Sequence, residues 1–347
     1  MVVENPIEYR KLQVTGGSTF IVSLPKNWIK SNNLGPSDVV SVEQLPSGEV
    51  QISPHEVKET KRMVEIDLRK YPPNTLYDCL IGAYVSGADT LIVRNKDGLS
   101  SKERRLVRRF LRDTRGMEIS DDQVDALTIV SLLNPNELPL QVSLNRMYLL
   151  VTSLVEDALA VLEGEDVDLL SDYDDRERQI DARRLLISRQ VAMILQNHQV
   201  EREIGLNRYG AMEHSVMAHY FERMGDHANT LARLVMEGSG VMKFSLDEAP
   251  LSFLPTWLSA LRDIVRNMYS KDIRVLSDGK LKLEEVINQL SQHEEMLMAT
   301  NKQRTTLLIE FRISEIARRL CGYSIDMTET LINMLLAART DTIVKEA

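Results

Sequence analysis

The feature that most constrains the fold is a series of six long segments with helical periodicity after Pro139. Apolar residues recur in them every three to four positions, the spacing that gives a helix one buried face. A glycine-containing and proline-containing stretch over residues 238–255 divides them into two groups of three, a repeat of about 110 residues. The pattern predicts two three-helix bundles in a mainly α protein. The predicted helices cover residues 144–162, 167–196, 207–237, 258–276, 281–299 and 306–339.

A polar stripe interrupts the apolar pattern of the third segment. At 100° per residue, its members fall within one narrow arc of the helix; they are His219, Glu222, Asp226, Asn229 and Arg233. Apolar and small residues flank this arc, so we expect its carboxylates to face another helix rather than solvent. Buried carboxylates must be paired or bind a cation.

The second segment carries a matching pair of acids. Glu177 and Asp181 are four residues apart, as are Glu222 and Asp226, so each pair stands one helical turn apart. Two such helices in contact could bring four carboxylates together, an arrangement that hard cations such as Fe, Mn, Mg or Ca favour. Surface ion pairs are the alternative. The available cations are Arg178, Arg184 and Arg223.

The string Glu-Arg-Met-Gly-Asp-His-Ala-Asn at residues 222–229, together with Glu177 and Asp181, resembles the PhoU family of phosphate-uptake regulators. The resemblance covers about residues 141–340 and implies two similar three-helix bundles, whose paired acidic motifs bind metal clusters in some members. It points to Glu177, Asp181, Glu222 and Asp226 as metal ligands.

The surroundings of these four acids suggest further roles. His219 or Asp174 could assist as ligands, and Asn229 and Arg233 would orient ligands by hydrogen bonds. In the second bundle, Cys321 and Ile325 stand at the matching positions, or Gly322 and Asp326 if the alignment shifts by one residue. Either way a carboxylate is missing, so we expect weak metal binding or none there.

The first 54 residues read as short strands with one short helix. Alternating segments, a Thr-Gly-Gly-Ser turn at residues 15–18 and a Pro25-initiated helix give the order β-β-α-β-β. So small a unit buries too little surface to be stable alone, which predicts a homodimer or higher oligomer.

The same stretch resembles the AbrB-like swapped-hairpin domains in its strings at residues 10–28 and 34–40. Proteins with this fold bind DNA as dimers. The resemblance implies that the DNA-facing residues of this chain are Arg10, Lys11, Ser18 and Lys26. Four basic residues stand against five acidic ones in residues 1–50, so a module that only dimerises is the alternative.

Residues 55–140 alternate strands and helices, which predicts a small α/β domain. Its second helix is dense in arginine and is a candidate contact for an anion or an acidic partner; a solvated face is the alternative. The candidates are Arg104, Arg105, Arg108 and Arg109. The predicted domains are therefore residues 1–54, 55–140, 141–240 and 250–347.

Composition and motifs together indicate a regulator rather than an enzyme. The net charge of −9 argues against a chain that coats nucleic acid along its whole length, and no signal segment or apolar run of membrane-spanning length occurs. We expect a cytoplasmic protein without direct membrane insertion. No nucleophile with a matched base is recognisable.

The domain combination resembles archaeal PhoU-type phosphate-uptake regulators, which implies a DNA-binding transcriptional regulator of phosphate homeostasis. Two alternatives come from other classes. One is an adaptor that regulates a phosphate transporter or a signalling kinase by protein contact without binding DNA. The other is a di-metal carboxylate enzyme, which would need Glu-x-x-His pairs; the chain offers only the reversed His219-x-x-Glu222.

Overall fold

A computed structural model describes residues 7–45, 48–54, 61–133, 139–238, 246–300 and 303–339. The chain divides into two compact units, residues 1–60 and residues 61–347. The predicted domain boundaries at residues 55 and 240 lie outside the described residues, so the predicted division into four domains stays a prediction.

The N-terminal unit consists of two antiparallel hairpins around a short helix, in the predicted order. Gly16 and Gly17 turn the first hairpin with φ of 62° and 84°, left-handed values that favour glycine. None of the described residues of this unit is buried. Its elements are β1 (Gln13–Thr15), β2 (Thr19–Ile21), α1 (Lys26–Ser31), β3 (Val40–Gln44) and β4 (Val50–Pro54).

The second unit begins with the predicted α/β region, a four-stranded mixed sheet with two helices. The sheet order is β5-β6-β8-β7; β5 and β6 are parallel and the other pairs are antiparallel. Ser100 and Glu103 form a capping box that starts the arginine-rich helix. The elements are β5 (Met63–Asp67), α2 (Leu76–Val85), β6 (Thr90–Arg94), α3 (Ser101–Asp113), β7 (Met117–Asp122) and β8 (Ala126–Ser131).

Long helices follow, as the periodicity predicts, and their apolar faces form one continuous core. The first bundle also contains a short helix that the sequence pattern did not reveal, because Gly205 ends it after seven residues. The first group is α4 (Leu140–Glu163), α5 (Tyr173–Gln196), α6 (His198–Ile204) and α7 (Arg208–Gly238). The second group is α8 (Leu254–Ser270), α9 (Ile273–Met298) and α10 (Arg304–Ala337).

Several helix boundaries differ from the prediction by four residues or more: α4 begins at Leu140, α5 at Tyr173, α8 at Leu254 and α9 at Ile273. The expected helix over residues 258–276 ends at Ser270, because Lys271 adopts a left-handed φ of 57°. Asn267 Oδ1 accepts a hydrogen bond from the Asp272 amide at 2.7 Å, and Asp272 caps the next helix through the Arg274 amide at 2.9 Å. These local side-chain bonds outweigh the apolar periodicity.

The α/β region and the first bundle share contacts through α5. Arg189 is buried, and its Nη1 donates to the carbonyls of Tyr84 at 2.9 Å and Ala88 at 2.8 Å. Its Nη2 also pairs with Asp89 at 3.4 Å. Leu185, one turn away, belongs to the core of the α/β region. Helix α5 therefore has one face against the sheet domain and another against α7.

Candidate metal centre and nucleic-acid interface

The carboxylates are brought together because α5 and α7 approach closely. A Cβ atom at Gly225 would lie 2.9 Å from Cδ1 of Ile180, a distance that real Cβ atoms do not show. Glu177 contacts Asn229 and Arg184 contacts Glu222, so the two helices run antiparallel. The missing side chain at position 225 thus lets both acidic pairs face each other.

Three of the four predicted ligands form a compact cluster. One carboxylate oxygen from each of Asp181, Glu222 and Asp226 lies within 4.8 Å of the others. All three side chains are half-buried. Oxygen ligands around one cation, bound at about 2.0–2.6 Å, have separations of this size. Among the described residues, this set is the candidate cation site.

Glu222 is the least satisfied of the three acids. Its Oε2 atom is buried and accepts no hydrogen bond from the described residues. The nearest basic groups are too far for strong pairing. Arg184 Nε is 3.8 Å from Oε1, and Arg223 Nε and His219 Nδ1 are 3.8 Å and 3.5 Å from Oε2. A buried carboxylate oxygen without a partner is costly, which fits a ligand position.

The raised pKa values of two acids in and beside the cluster also fit a cation site. Burial, followed by the negative charges of Glu222 and Asp226, raises the pKa of Asp181 to about 6. Burial and the charges of Asp181 and Asp226 raise the pKa of Glu177 to about 7. Without a cation, the cluster therefore reduces its repulsion by binding protons.

Glu177 lies beside the cluster rather than within it. Its Oε2 accepts a hydrogen bond from Asn229 Nδ2 at 2.5 Å, so Asn229 orients a candidate ligand. Asp226 is also held, by Arg223 Nη1 at 3.1 Å. Asp157, on α4, pairs with Arg176 at 2.5 Å instead of approaching the acids. Of the arginines near the cluster, Arg223 therefore neutralises Asp226 in part, and Arg184 lies 3.8 Å from Glu222.

The matching region of the second bundle has a different character. Cys321 is fully buried, and burial raises the pKa of its thiol to about 12. Ile325 is half-buried and apolar. Glu294 of α9 is engaged by Arg318 and by Ser314 Oγ. Within the described residues of this bundle, no set of three acids, histidines or cysteines converges.

The predicted DNA contacts are all exposed. Arg10, Lys11 and Ser18 lie on or next to the first hairpin, and Lys26 begins α1. Arg10 forms an ion pair with Glu8, which reduces the positive charge at that edge. The hairpins carry exposed apolar side chains as well. They include Tyr9, Leu12, Phe20, Val39 and Val42.

The arginines of α3 have unequal surroundings. Arg104 is engaged, because it pairs with Asp122 and donates to the carbonyl of Gln123 at 2.7 Å. Arg105 and Arg108 are exposed. Arg109 lies 3.3 Å from Asp113 and stacks over the Tyr77 ring, with its guanidinium carbon 4.6 Å from the centroid. Two of the four arginines, Arg104 and Arg109, are therefore paired with acids.

Comparison with known proteins agrees with this architecture. Residues 144–235 match the family model described as PhoU domain, and residues 13–60 match the model described as antidote-toxin recognition MazE, bacterial antitoxin. These matches define the class: a regulatory helical domain follows an N-terminal hairpin domain of the MazE and AbrB kind. The chain is a PhoU-type protein with an N-terminal AbrB-like domain. No curated protein matched the chain in sequence.

The family matches carry a coarse functional conclusion. A PhoU domain indicates a function related to phosphate regulation, and an AbrB-like domain is compatible with DNA binding. In the described part of the chain, no helix combines the length and apolar character that a bilayer crossing requires. The archaeal origin and the cytoplasmic location stay predictions.

Proposed function

We propose that this protein regulates phosphate uptake or phosphate signalling as a homodimer that binds DNA through its N-terminal unit. The observation that carries the proposal is the joining, in one chain, of a PhoU domain with a carboxylate cluster and an AbrB-like domain with exposed basic residues. The role is regulatory and not enzymatic.

The N-terminal unit supports dimerisation. It lacks buried residues among those described, and its apolar side chains are exposed; Phe20 is 67% accessible and Val42 is 65% accessible. A two-stranded hairpin is marginal alone in water. A second copy of the same unit would supply the missing core, as exchange of hairpins between AbrB-like chains does.

DNA binding would use Arg10, Lys11, Ser18 and Lys26. Their exposure leaves them free to contact phosphates, which dominate affinity and position a protein on the duplex. Substituting Arg10, Lys11 and Lys26 together by alanine should weaken DNA binding and lower the log–log salt slope by roughly one unit per lost phosphate contact. The matched control is the triple alanine variant of the exposed residues Lys61, Lys96 and Lys282.

Fluorescence anisotropy at several salt concentrations measures this effect. Loss of binding in the N-terminal variant but not in the control supports DNA recognition by the hairpin unit. Equal binding by parent and N-terminal variant leaves the adaptor as the better proposal. That alternative is favoured by the Glu8–Arg10 ion pair and by the near balance of charge in the first 50 residues.

The first bundle would hold a divalent or trivalent cation through Asp181, Glu222 and Asp226, with Glu177 beside them. Oxygen ligands favour Fe, Mn, Mg or Ca. When bound, the cation would neutralise the acids and tie α5 to α7. The chain's own part is to hold the carboxylates close and to orient Glu177 through Asn229.

Metal analysis tests this site. The Glu222→Gln plus Asp226→Asn variant should lose bound metal and should no longer be stabilised by added Mn or Mg. The Asp326→Asn plus Glu329→Gln variant, which removes the same charge from the second bundle, should behave as the parent. If added metal leaves the melting temperature of the parent unchanged and no metal co-purifies, the acids bind protons rather than a cation.

A further inference from the structure

A pocket of about 730 Å³ opens between α3, α5 and α7 in the second unit. Its walls come from α2, from the C-terminal end of α3 and the residues just after it, from the N-terminal half of α5 and from Glu222 of α7. The lining residues with charged side chains are Arg109, Arg112, Asp113, Arg115, Asp175, Arg178, Asp181, Arg184 and Glu222. The α/β region and the PhoU domain therefore both contribute to it.

The pocket contains more arginine than its acids can neutralise. Asp113 is paired with Arg109 at 3.3 Å, and Asp175 is paired with Arg178. Arg112 and Arg115 are exposed and have no ion pair within the described residues. With Asp181 and Glu222 counted as well, the lining holds five arginines and four acids, and Arg112 and Arg115 are the described arginines that face the opening without an ion pair.

Arg184 adds a donor that the described residues leave unused. Its Nε is buried and makes no hydrogen bond there, and its closest acid oxygen, Oε1 of Glu222, is 3.8 Å away. Desolvating a guanidinium nitrogen without an acceptor is costly. An acceptor in the pocket would remove that cost.

A like-charge contact adjoins the same wall. Arg183 follows the pocket residue Gln179 by one turn of α5 and lies near Arg115 and Arg146. Three neighbouring arginines repel each other unless an anion lies between or beside them.

We infer that this pocket binds a multiply charged, phosphate-bearing small anion through Arg112, Arg115, Arg178 and Arg184. Planar guanidinium groups bind phosphate oxygens in pairs, so several arginines from two elements suit several phosphate oxygens. The volume exceeds that of a single phosphate ion and falls in the range of ordinary small-molecule sites. The inference goes beyond the proposed DNA and metal binding, although Asp181 and Glu222 of the proposed cation site also line the pocket.

This site would let a soluble phosphate compound act on the PhoU domain directly. The ligand would bridge the α3 end and α5, and thereby couple the sheet domain to the helix that carries Glu177 and Asp181. From the sequence, Arg109 was a candidate anion contact, Arg178 and Arg184 were candidate ion-pair partners of the acids, and Arg112 and Arg115 had no predicted role. The continuing arginine spacing Arg109, Arg112 and Arg115 was the available signal.

Isothermal titration of the full chain with inorganic phosphate, tripolyphosphate and ATP tests the inference, at constant ionic strength and with a chelator present. At least one of the three should bind. The Arg112→Gln plus Arg115→Gln variant should weaken that binding by about tenfold or more, the loss expected for charge-assisted hydrogen bonds. The matched control is Arg105→Gln plus Arg108→Gln, which removes the same charge from exposed positions of the same helix outside the pocket.

Each outcome decides the question. Weaker binding in the pocket variant alone supports the site, and the rank order of the three ligands tells whether the source is free phosphate, a polyphosphate chain or a nucleotide. No binding of any of the three by the parent, or equal loss in both variants, overturns it. Because the chelator removes metal, failure of the proposed metal site leaves this result unaffected. Unchanged melting temperatures confirm that the variants fold.

Discussion

At the scale of single residues, Glu222 and Asp181 show how a helix can hold charge inside a bundle. Glu222 Oε2 is buried without a hydrogen bond in the described part of the chain, and Asp181 has a pKa raised to about 6. Both facts arise because α7 places acids opposite acids on α5. Acids this close repel one another, and a proton on Asp181 or a bound cation reduces that repulsion.

Removal of metal should therefore make the stability of the protein fall as pH rises. The folded pKa values of Asp181, about 6, and Glu177, about 7, lie above their ordinary values of 3.8 and 4.5. Such groups contribute stability that is fully present below about pH 4 and is lost as pH rises through 6 to 7. The measurement is chemical unfolding of chelator-treated protein at several pH values.

The Asp181→Asn variant provides the control for this pH dependence. It should flatten the fall between pH 5 and pH 7 and should be more stable than the metal-free parent at pH 8. With excess Mn the parent should instead gain stability as pH rises, since metal competes with protons. Identical pH profiles for the metal-free parent and the variant would contradict the coupling of these acids.

At the scale of secondary-structure elements, the close approach of α5 and α7 depends on one glycine. A Cβ at Gly225 would meet Ile180 at 2.9 Å, whereas a Cβ at Gly322 of α10 would meet nothing within 4 Å. Both glycines lie inside long helices. Substituting alanine at each position in turn therefore distinguishes the effect of helix propensity, which is the same at both, from the effect of packing, which differs.

Gly322→Ala should stabilise the protein by up to about 1 kcal/mol, because alanine favours a helix over glycine. Gly225→Ala has the same favourable effect on helix propensity, but its new methyl group would collide with Ile180. Because such overpacking costs about 1–3 kcal/mol, we expect no net stabilisation or a loss of stability. It should also reduce the metal-induced rise in melting temperature. Equal stabilisation by both substitutions, measured by urea unfolding, would show that α5 can shift at no cost.

The contact of α5 with the α/β region depends on Arg189. Arg189→Met keeps the apolar stem but leaves the carbonyls of Tyr84 and Ala88 without this donor. We expect a loss of about 3 kcal/mol in the free energy of unfolding, the scale of two buried acceptors left unsatisfied. Arg178→Met, at an exposed position of the same helix, should change stability by less than about 0.5 kcal/mol. Similar losses in both variants would contradict the anchoring role.

At the scale of the whole molecule, the two compact units differ in how they satisfy the need for a core. Residues 61–347 bury large side chains such as Trp257, Tyr84 and Phe110, whereas residues 7–45 and 48–54 bury none. The second unit is therefore complete in one chain. The first unit has no buried residue among those described, and this is the basis for predicting that it oligomerises.

Light scattering of the full chain should consequently show a dimer or a higher oligomer at micromolar concentration. A variant that contains only residues 61–347 should remain folded and should contain fewer chains per particle than the full chain. Substituting the exposed Phe20 and Val42 by serine should likewise shift the full chain toward monomer. A monomeric parent, or an unchanged assembly state after removal of residues 1–60, would contradict oligomerisation through the hairpin unit.

The sequence by itself determined the order and type of the main elements. The β-β-α-β-β start, the α/β region and the long helices follow from local periods and turn residues, which act over a few positions. The resemblance to the two families rested on short strings, and the family matches confirm it. Helix periodicity also indicated that the acids of α5 and α7 each share a face.

Only the tertiary structure decided which faces meet. Periodicity states the direction of a side chain around its own helix and not the helix that it will contact. Packing against Ile180 brought Asp181 to Glu222 and Asp226, while it gave Glu177 the side chain of Asn229 as partner. The sequence did not reveal the arginine pocket either, because its walls come mainly from α3 and α5. These helices are separated by the 59 residues 114–172 and are brought together by the burial of Leu185 and Arg189.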